Sequence, residues 1–146
     1  MVGYVVMVQA WGRAVPLGMV LLSAGYPALD YPSLSSVYVW YLAAAPGGSL
    51  TPWGVMTRPY LLETLIDIGM VESEARGFNG RIGLHAANRG NSPASQKLYM
   101  AYRDRCGLTP LSMNASLPGI RQNDGRYFTA PAAVASARLA ALDYYR

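Results

Sequence analysis

Apolar and polar positions change their spacing along the chain, and three kinds of element follow. Near the N-terminus the apolar residues form dense runs. "GYVVMVQAW" is rich in Val and Tyr, and "VPLGMVLLSA" follows the turn-like Gly12-Arg13. After the proline-broken "YPALDYPS", the run "SVYVWYLAAAP" combines β-branched and aromatic residues and stops at Pro46. Such runs predict strands, and their short connections predict an antiparallel meander with a well-buried last strand. The spacing then becomes helical. Leu61, Leu65 and Ile68 recur at i, i+4 and i+7, with Leu62 and Ile66 widening the stripe. Glu63, Asp67, Glu72 and Glu74 fall at positions expected to face solvent. Pro59 suits the first turn, Arg76 the last, and Gly77 the end.

"RIGLHAA" predicts a short buried strand after the turn "GFNG". Ser92 and Pro93 suit the cap and first position of a second helix, in which Leu98, Ala101, Tyr102 and Cys106 keep helical spacing up to Gly107. An irregular stretch runs to about Gly125. "RYFTA" predicts a strand, and a final helix begins at Pro131 with Ala135, Leu139 and Leu142 on one face. The order is three strands, then helix, strand, helix, strand, helix. Antiparallel strands followed by a strand–helix–strand unit from Val37 to Ala86 indicate an α+β fold with a mixed sheet and a parallel crossover. No internal repeat or long linker divides the 146 residues, so a single domain spanning residues 1–146 is expected.

Composition narrows the functional classes. Hydrophobic residues make up 52% and charged residues 14%, a globular balance. One cysteine makes no internal disulfide, so a reducing cytoplasm is the expected location. No run reaches the ~18 uninterrupted apolar residues of a membrane span, and no basic residue precedes the N-terminal apolar run as in a signal peptide. The net charge of +4 is spread over scattered arginines and one lysine, which favours a solvated surface over a nucleic-acid groove. One His and one Cys exclude a Cys/His zinc site. There is no phosphate-binding Gly-x-x-x-x-Gly-Lys loop and no Gly-x-Ser-x-Gly elbow.

A buried strand ending "LAAAP", a long helix, the strand "RIGLHA", then a helix with "LYMAYRDRCGL" resembles the GCN5-related N-acetyltransferases in order and spacing, over about Val15 to Ala133. "GRIGLHA" after a helix ending "ARGF", and the terminal "RYFTAP", are similar to one bacterial subset of that superfamily. The resemblance implies an acyl-CoA N-acyltransferase-like fold and an acetyl-CoA cosubstrate. Its pantetheine arm would meet the backbone of Leu42, Ala43, Ala44 and Ala45. The family's Gln/Arg-x-x-Gly-x-Gly/Ala pyrophosphate loop is replaced here by "WGVMTRPYLLETL", where Arg58 and Tyr60 lie at the cofactor position and Arg58 offers charge. Asn91 lies one residue from the family's helix-start Asn.

The resemblance also implies a tyrosine acid for the leaving thiolate. Tyr99, after Leu98, matches that motif. His85, on the strand beside this helix, suits a base for the acceptor amine. Cys106 is expected to serve packing. The family usually opens with a strand and two helices that shape the acceptor pocket, and this chain is expected to begin near the second strand. A sheet left open in this way points to a homodimer. The function expected is acetyl transfer from acetyl-CoA to an amine by direct attack, the amine belonging to a small molecule or a protein. The alternative is a catalytically degenerate protein of the same fold, used for binding or assembly.

Overall fold

The computed structural model describes residues 1–54, 61–88, 90, 92–119 and 122–142. The N-terminal runs form the predicted meander: β1 (Val2–Ala10), β2 (Arg13–Pro27) and β3 (Ser35–Ala44), paired antiparallel. In β1 the side chains alternate between half-buried and exposed, because the strand lies over a helix on one face only. In β3, Ser36 to Val39 are all buried, as expected for the strand at the sheet's centre. The connector after Pro46 is more ordered than its Gly and Pro content suggested. It holds a short helix, α1 (Gly47–Leu50), and a 3₁₀ turn over Thr51–Trp53.

The long helix α2 (Leu61–Ala75) crosses the sheet to β4 (Ile82–His85), which pairs parallel with β3 as the crossover required. The second helix begins where Ser92 and Pro93 placed it, with Ser92 Oγ accepting from Ser95 N–H at 3.2 Å. This helix, α3 (Pro93–Met100), does not continue as one α-helix to Cys106. It opens into a π turn over Ala101–Arg105, where Cys106 N–H donates to the Ala101 carbonyl at 3.0 Å. The irregular stretch contributes a two-residue strand, β5 (Thr109–Pro110). Then come β6 (Tyr127–Ala130) and α4 (Ala132–Leu142). The six-stranded sheet has the order β1-β2-β3-β4-β6-β5.

The core lies between the sheet and α2. Val20, Leu22, Val37 and Val39 from the strands meet Leu65, Ile66 and Met70 from the helix, and Phe128 and Ala135 extend the cluster. One close approach seats α4 against the turn between α2 and β4. Gly80, at a left-handed φ of +72°, stands where a β-carbon would come 2.5 Å from the Ala135 β-carbon. Asp67 corrects the expectation that every acid of α2 faces water. It is buried and takes Arg138 Nε from α4 at 2.8 Å. Helical spacing marks the sheet-facing stripe, but α4 covers a second flank of α2 that periodicity alone does not reveal. Among the described residues no helix is long and apolar enough to cross a membrane.

Candidate active site

The site begins where β3 and β4 part. Their parallel ladder pairs Val37 with Ile82, Tyr38 with Gly83 and Val39 with Leu84, and goes no further. β4 ends at His85, whereas β3 runs on to Ala44 beside β2. The parting coincides with a bulge: Leu22 stands opposite Val39 and Leu21 opposite Tyr41, so Trp40 is the extra residue. A bulge bends its strand and sharpens the local twist, which turns the end of β3 away from β4. Between them opens a cleft of about 860 Å³.

Each wall comes from one element. Trp40 to Ala44 of β3 form one side, and Leu61, Leu62 and Leu65 of α2 form the apolar floor. His85 and Ala87 lie at the end of β4. From the second helix come Ala94, Ser95, Leu98, Tyr102 and Arg105. The last five form one helical stripe at i, i+1, i+4, i+8 and i+11, with the π turn carrying its far end.

Leu42, Ala43 and Ala44 line the cleft. Ala45 does not, and its N–H donates to the Leu17 carbonyl at 2.8 Å. Arg58, Tyr60 and Asn91 lie outside the described residues. Tyr99 stands one step around the helix from the lining stripe. Its ring packs on Phe128 with centroids 4.8 Å apart, and the Arg126 guanidinium lies over it at 5.5 Å. The phenol that the second helix brings to the cleft wall is Tyr102, three residues on and only 4% exposed, and β3 brings Tyr41, 54% exposed. Burial, and then the neighbouring Cys106 thiol, push the Tyr102 hydroxyl well above the usual phenol value, so it stays protonated at neutral pH. Sequence spacing placed Tyr102 on the helix's apolar stripe. The π turn was the missing signal for its place in the cleft.

His85 lines the cleft and meets a partner that sequence reasoning did not find. Its Nε2 lies 3.0 Å from Asp124 Oδ2, and its ring packs on Tyr127 at 4.5 Å. Partial desolvation pushes the Asp124 carboxyl up. The His85 hydrogen bond and the Arg126 backbone N–H outweigh it and hold the group below its usual value. Arg105, at the rim, is held in a bidentate pair with Glu63 at 2.9 and 3.0 Å. Cys106 is fully buried, and burial pushes its thiol up to about 12, which leaves it an unreactive packing group. Among the described residues no cluster of His, Cys, Asp or Glu is placed to hold a metal ion.

No protein-family model matches the chain, and no curated protein matches it. Solved structures do. The KacTA–DNA complex is 17% identical, with 95% of this chain covering 72% of that one at a TM-score of 0.54. AtaTR bound with acetyl-CoA is 18% identical, over 94% and 71% of the two chains, with a TM-score of 0.56. A mutant AtaT toxin bound to the C-terminus of the antitoxin AtaR and to acetyl-CoA is 15% identical over the same shares, at 0.53. The fold shared with them is that of the GCN5-related N-acetyltransferases.

Proposed function

We propose that this chain is an acyl-CoA-dependent N-acetyltransferase that transfers an acetyl group to an amine by direct attack. The observation that carries it is the parting of β3 and β4 past Val39 and Leu84, which opens the cleft beside a protonated phenol and an imidazole. The neighbour AtaTR is bound with acetyl-CoA. The β3 edge from Leu42 to Ala44 would receive the amides of an acyl-CoA, and Leu61 and Leu65 its apolar portions. The small Ala43, Ala44, Ala87 and Ala94 leave room for it.

In this reading the acceptor nitrogen attacks the thioester carbonyl carbon. The C–N bond forms, the C–S bond breaks, and the thiolate takes a proton from a tyrosine. Tyr102 fills that role better than Tyr99, because it lines the cleft and Tyr99 does not. His85 takes the proton that the amine loses. Solvent then restores both groups, so that amine and acetyl thioester become amide and thiol. By likeness to AtaT, which is bound to an antitoxin segment, a protein partner docking on the chain belongs to the same proposal, as does a cytoplasmic location.

Calorimetric titration with acetyl-CoA, and with CoA alone, tests the reading. Micromolar binding of acetyl-CoA is the expected result. No heat and no thermal shift at millimolar ligand would sink it and leave the fold as a binding or assembly module.

A further inference from the structure

The His85–Asp124 contact joins two parts of the chain that neither motif nor spacing linked. His85 ends β4, and Asp124 precedes β6 in the loop that returns beside it. The carboxylate is built in from both sides. Asp124 Oδ2 meets His85 Nε2 at 3.0 Å, and Asp124 Oδ1 accepts the Arg126 N–H at 3.0 Å. Arg126 is itself anchored. Its Nε donates to the Ala86 carbonyl at 2.9 Å, and its Nη2 to Ser95 at 2.7 Å and Ala87 at 3.3 Å. The Ala86 N–H returns to the Arg126 carbonyl at 2.9 Å. The arginine therefore ties the Asp124 loop to the end of β4 and the start of α3. The imidazole is confined on a second side, where His85 pairs with Tyr127 in register and the rings touch.

We propose that Asp124 is a positioning residue for His85, holding the Nε2–H so that Nδ1 keeps the lone pair that receives the acceptor amine's proton. The proposal rests on the acetyl-transfer reading and adds to it the group that sets the base. An imidazole has one lone pair when neutral, and the hydrogen bond made by one nitrogen decides which nitrogen carries it. An ionised carboxylate accepts only, so it draws the proton to the nitrogen facing it. As the amine nitrogen bonds to the thioester carbon, its proton passes to Nδ1, and the imidazolium formed is stabilised by the carboxylate behind it. The sulfur leaves with the Tyr102 proton. Among the described residues, the other ionisable groups around the pair include Arg126 and Tyr127 beside and on β6, Tyr41 on β3 and, on the cleft wall formed by the second helix, Tyr102 and Arg105. The Arg105 charge is committed to Glu63.

His85 is the chain's only histidine, so imidazole ¹⁵N NMR reports this residue alone. With the ring neutral, the wild-type protein should show the proton on Nε2 and a bare Nδ1. Asp124→Asn keeps an oxygen for the Arg126 N–H but turns an amide donor toward Nε2, so the proton should move to Nδ1. The tautomer is read whether or not a probe amine reacts. With tyramine or lysine methyl ester as probe acceptor, thiol release from acetyl-CoA should fall about 10²-fold, with acetyl-CoA affinity unchanged. Asp124→Glu should recover part of the rate. A wild-type tautomer in folded Asp124→Asn, with acetyl-CoA still bound, overturns the role of Asp124 alone. Absence of acetyl-CoA binding in the wild-type protein overturns the transfer reading and this role with it.

Discussion

Gly18 on β2 stands so close to Ala43 on β3 that a β-carbon there would lie 2.8 Å from the Ala43 carbonyl oxygen. The same β-carbon would meet the Leu61 and Leu65 side chains at 3.3 Å. Two walls of the cleft, β3 and α2, therefore converge on a position that only hydrogen can fill. Gly18→Ala must push β3 or α2 aside. A loss of about 1–3 kcal/mol is expected from overpacking, read as a lowered midpoint in urea. Acetyl-CoA affinity should fall with it, because both displaced walls line the site.

The two tyrosines of the second helix give opposite tests of the transfer reading. Tyr102→Phe removes the hydroxyl of a cleft-lining residue and leaves the ring that packs on Phe128 at 5.7 Å. The rate should fall about 10²-fold with little change in acetyl-CoA affinity. Tyr99→Phe keeps the ring beneath Arg126 and should cost the rate far less. Steady-state kinetics and calorimetry on the two variants decide it, and a larger loss at Tyr99 would return the acid role to that residue.

Arg138 and Asp67 form an ion pair between α4 and α2, and Arg138 Nη1 also donates to the Cys106 carbonyl at 2.5 Å, just past the π turn. Burial pushes the Asp67 carboxyl up, and Arg138 opposes that shift. Arg138→Met leaves the acid buried without its cation, at an expected cost of about 3–5 kcal/mol near neutral pH. The sign with pH follows. An acid whose folded value is raised favours the folded state while protonated, and that support is lost as pH rises through the folded value. The variant should therefore lose more stability than wild type between about pH 4 and pH 7. Adding Asp67→Asn should remove most of this pH dependence, and denaturant melts across that range measure both effects.

The Tyr4 hydroxyl donates to Glu72 at 2.5 Å and pins the edge strand β1 to α2. The Tyr4 hydrogen bond is the chief reason the Glu72 carboxyl lies below its usual value, with Arg76 Nε at 2.6 Å adding to it. A depressed acid supports the fold above its unfolded value, and the support disappears as pH falls through the folded value. Wild-type protein should lose stability on acidification below about pH 4.5. Tyr4→Phe should be about 1 kcal/mol less stable at pH 7 and lose less on acidification. Thermal melts from pH 7 to 3 compare the two slopes.

Much of the scaffold follows from local pattern. Dense Val and Tyr runs gave the meander, the stripe from Leu61 to Ile68 gave α2, and the Ser92–Pro93 pair gave the start of α3. These are properties of neighbouring residues, since side chains alternate along a strand and recur every 3.6 residues along a helix. The order of elements was enough to point to the fold. Other features depend on register and rotation. Asp124 reaches His85 across 39 residues, and Arg138 reaches Asp67 across 71. The bulge at Trp40 parts the strands, and a π turn accompanies Tyr102, rather than Tyr99, on the wall of the opening. One residue of slip in a strand, or one extra residue in a helical turn, changes which side chain faces the cleft. Local pattern was enough for the longer strands and helices and their order, though not for α1, β5 or the π turn. Only the packed sheet and helices decided which polar groups meet, because those meetings join residues that no local period relates.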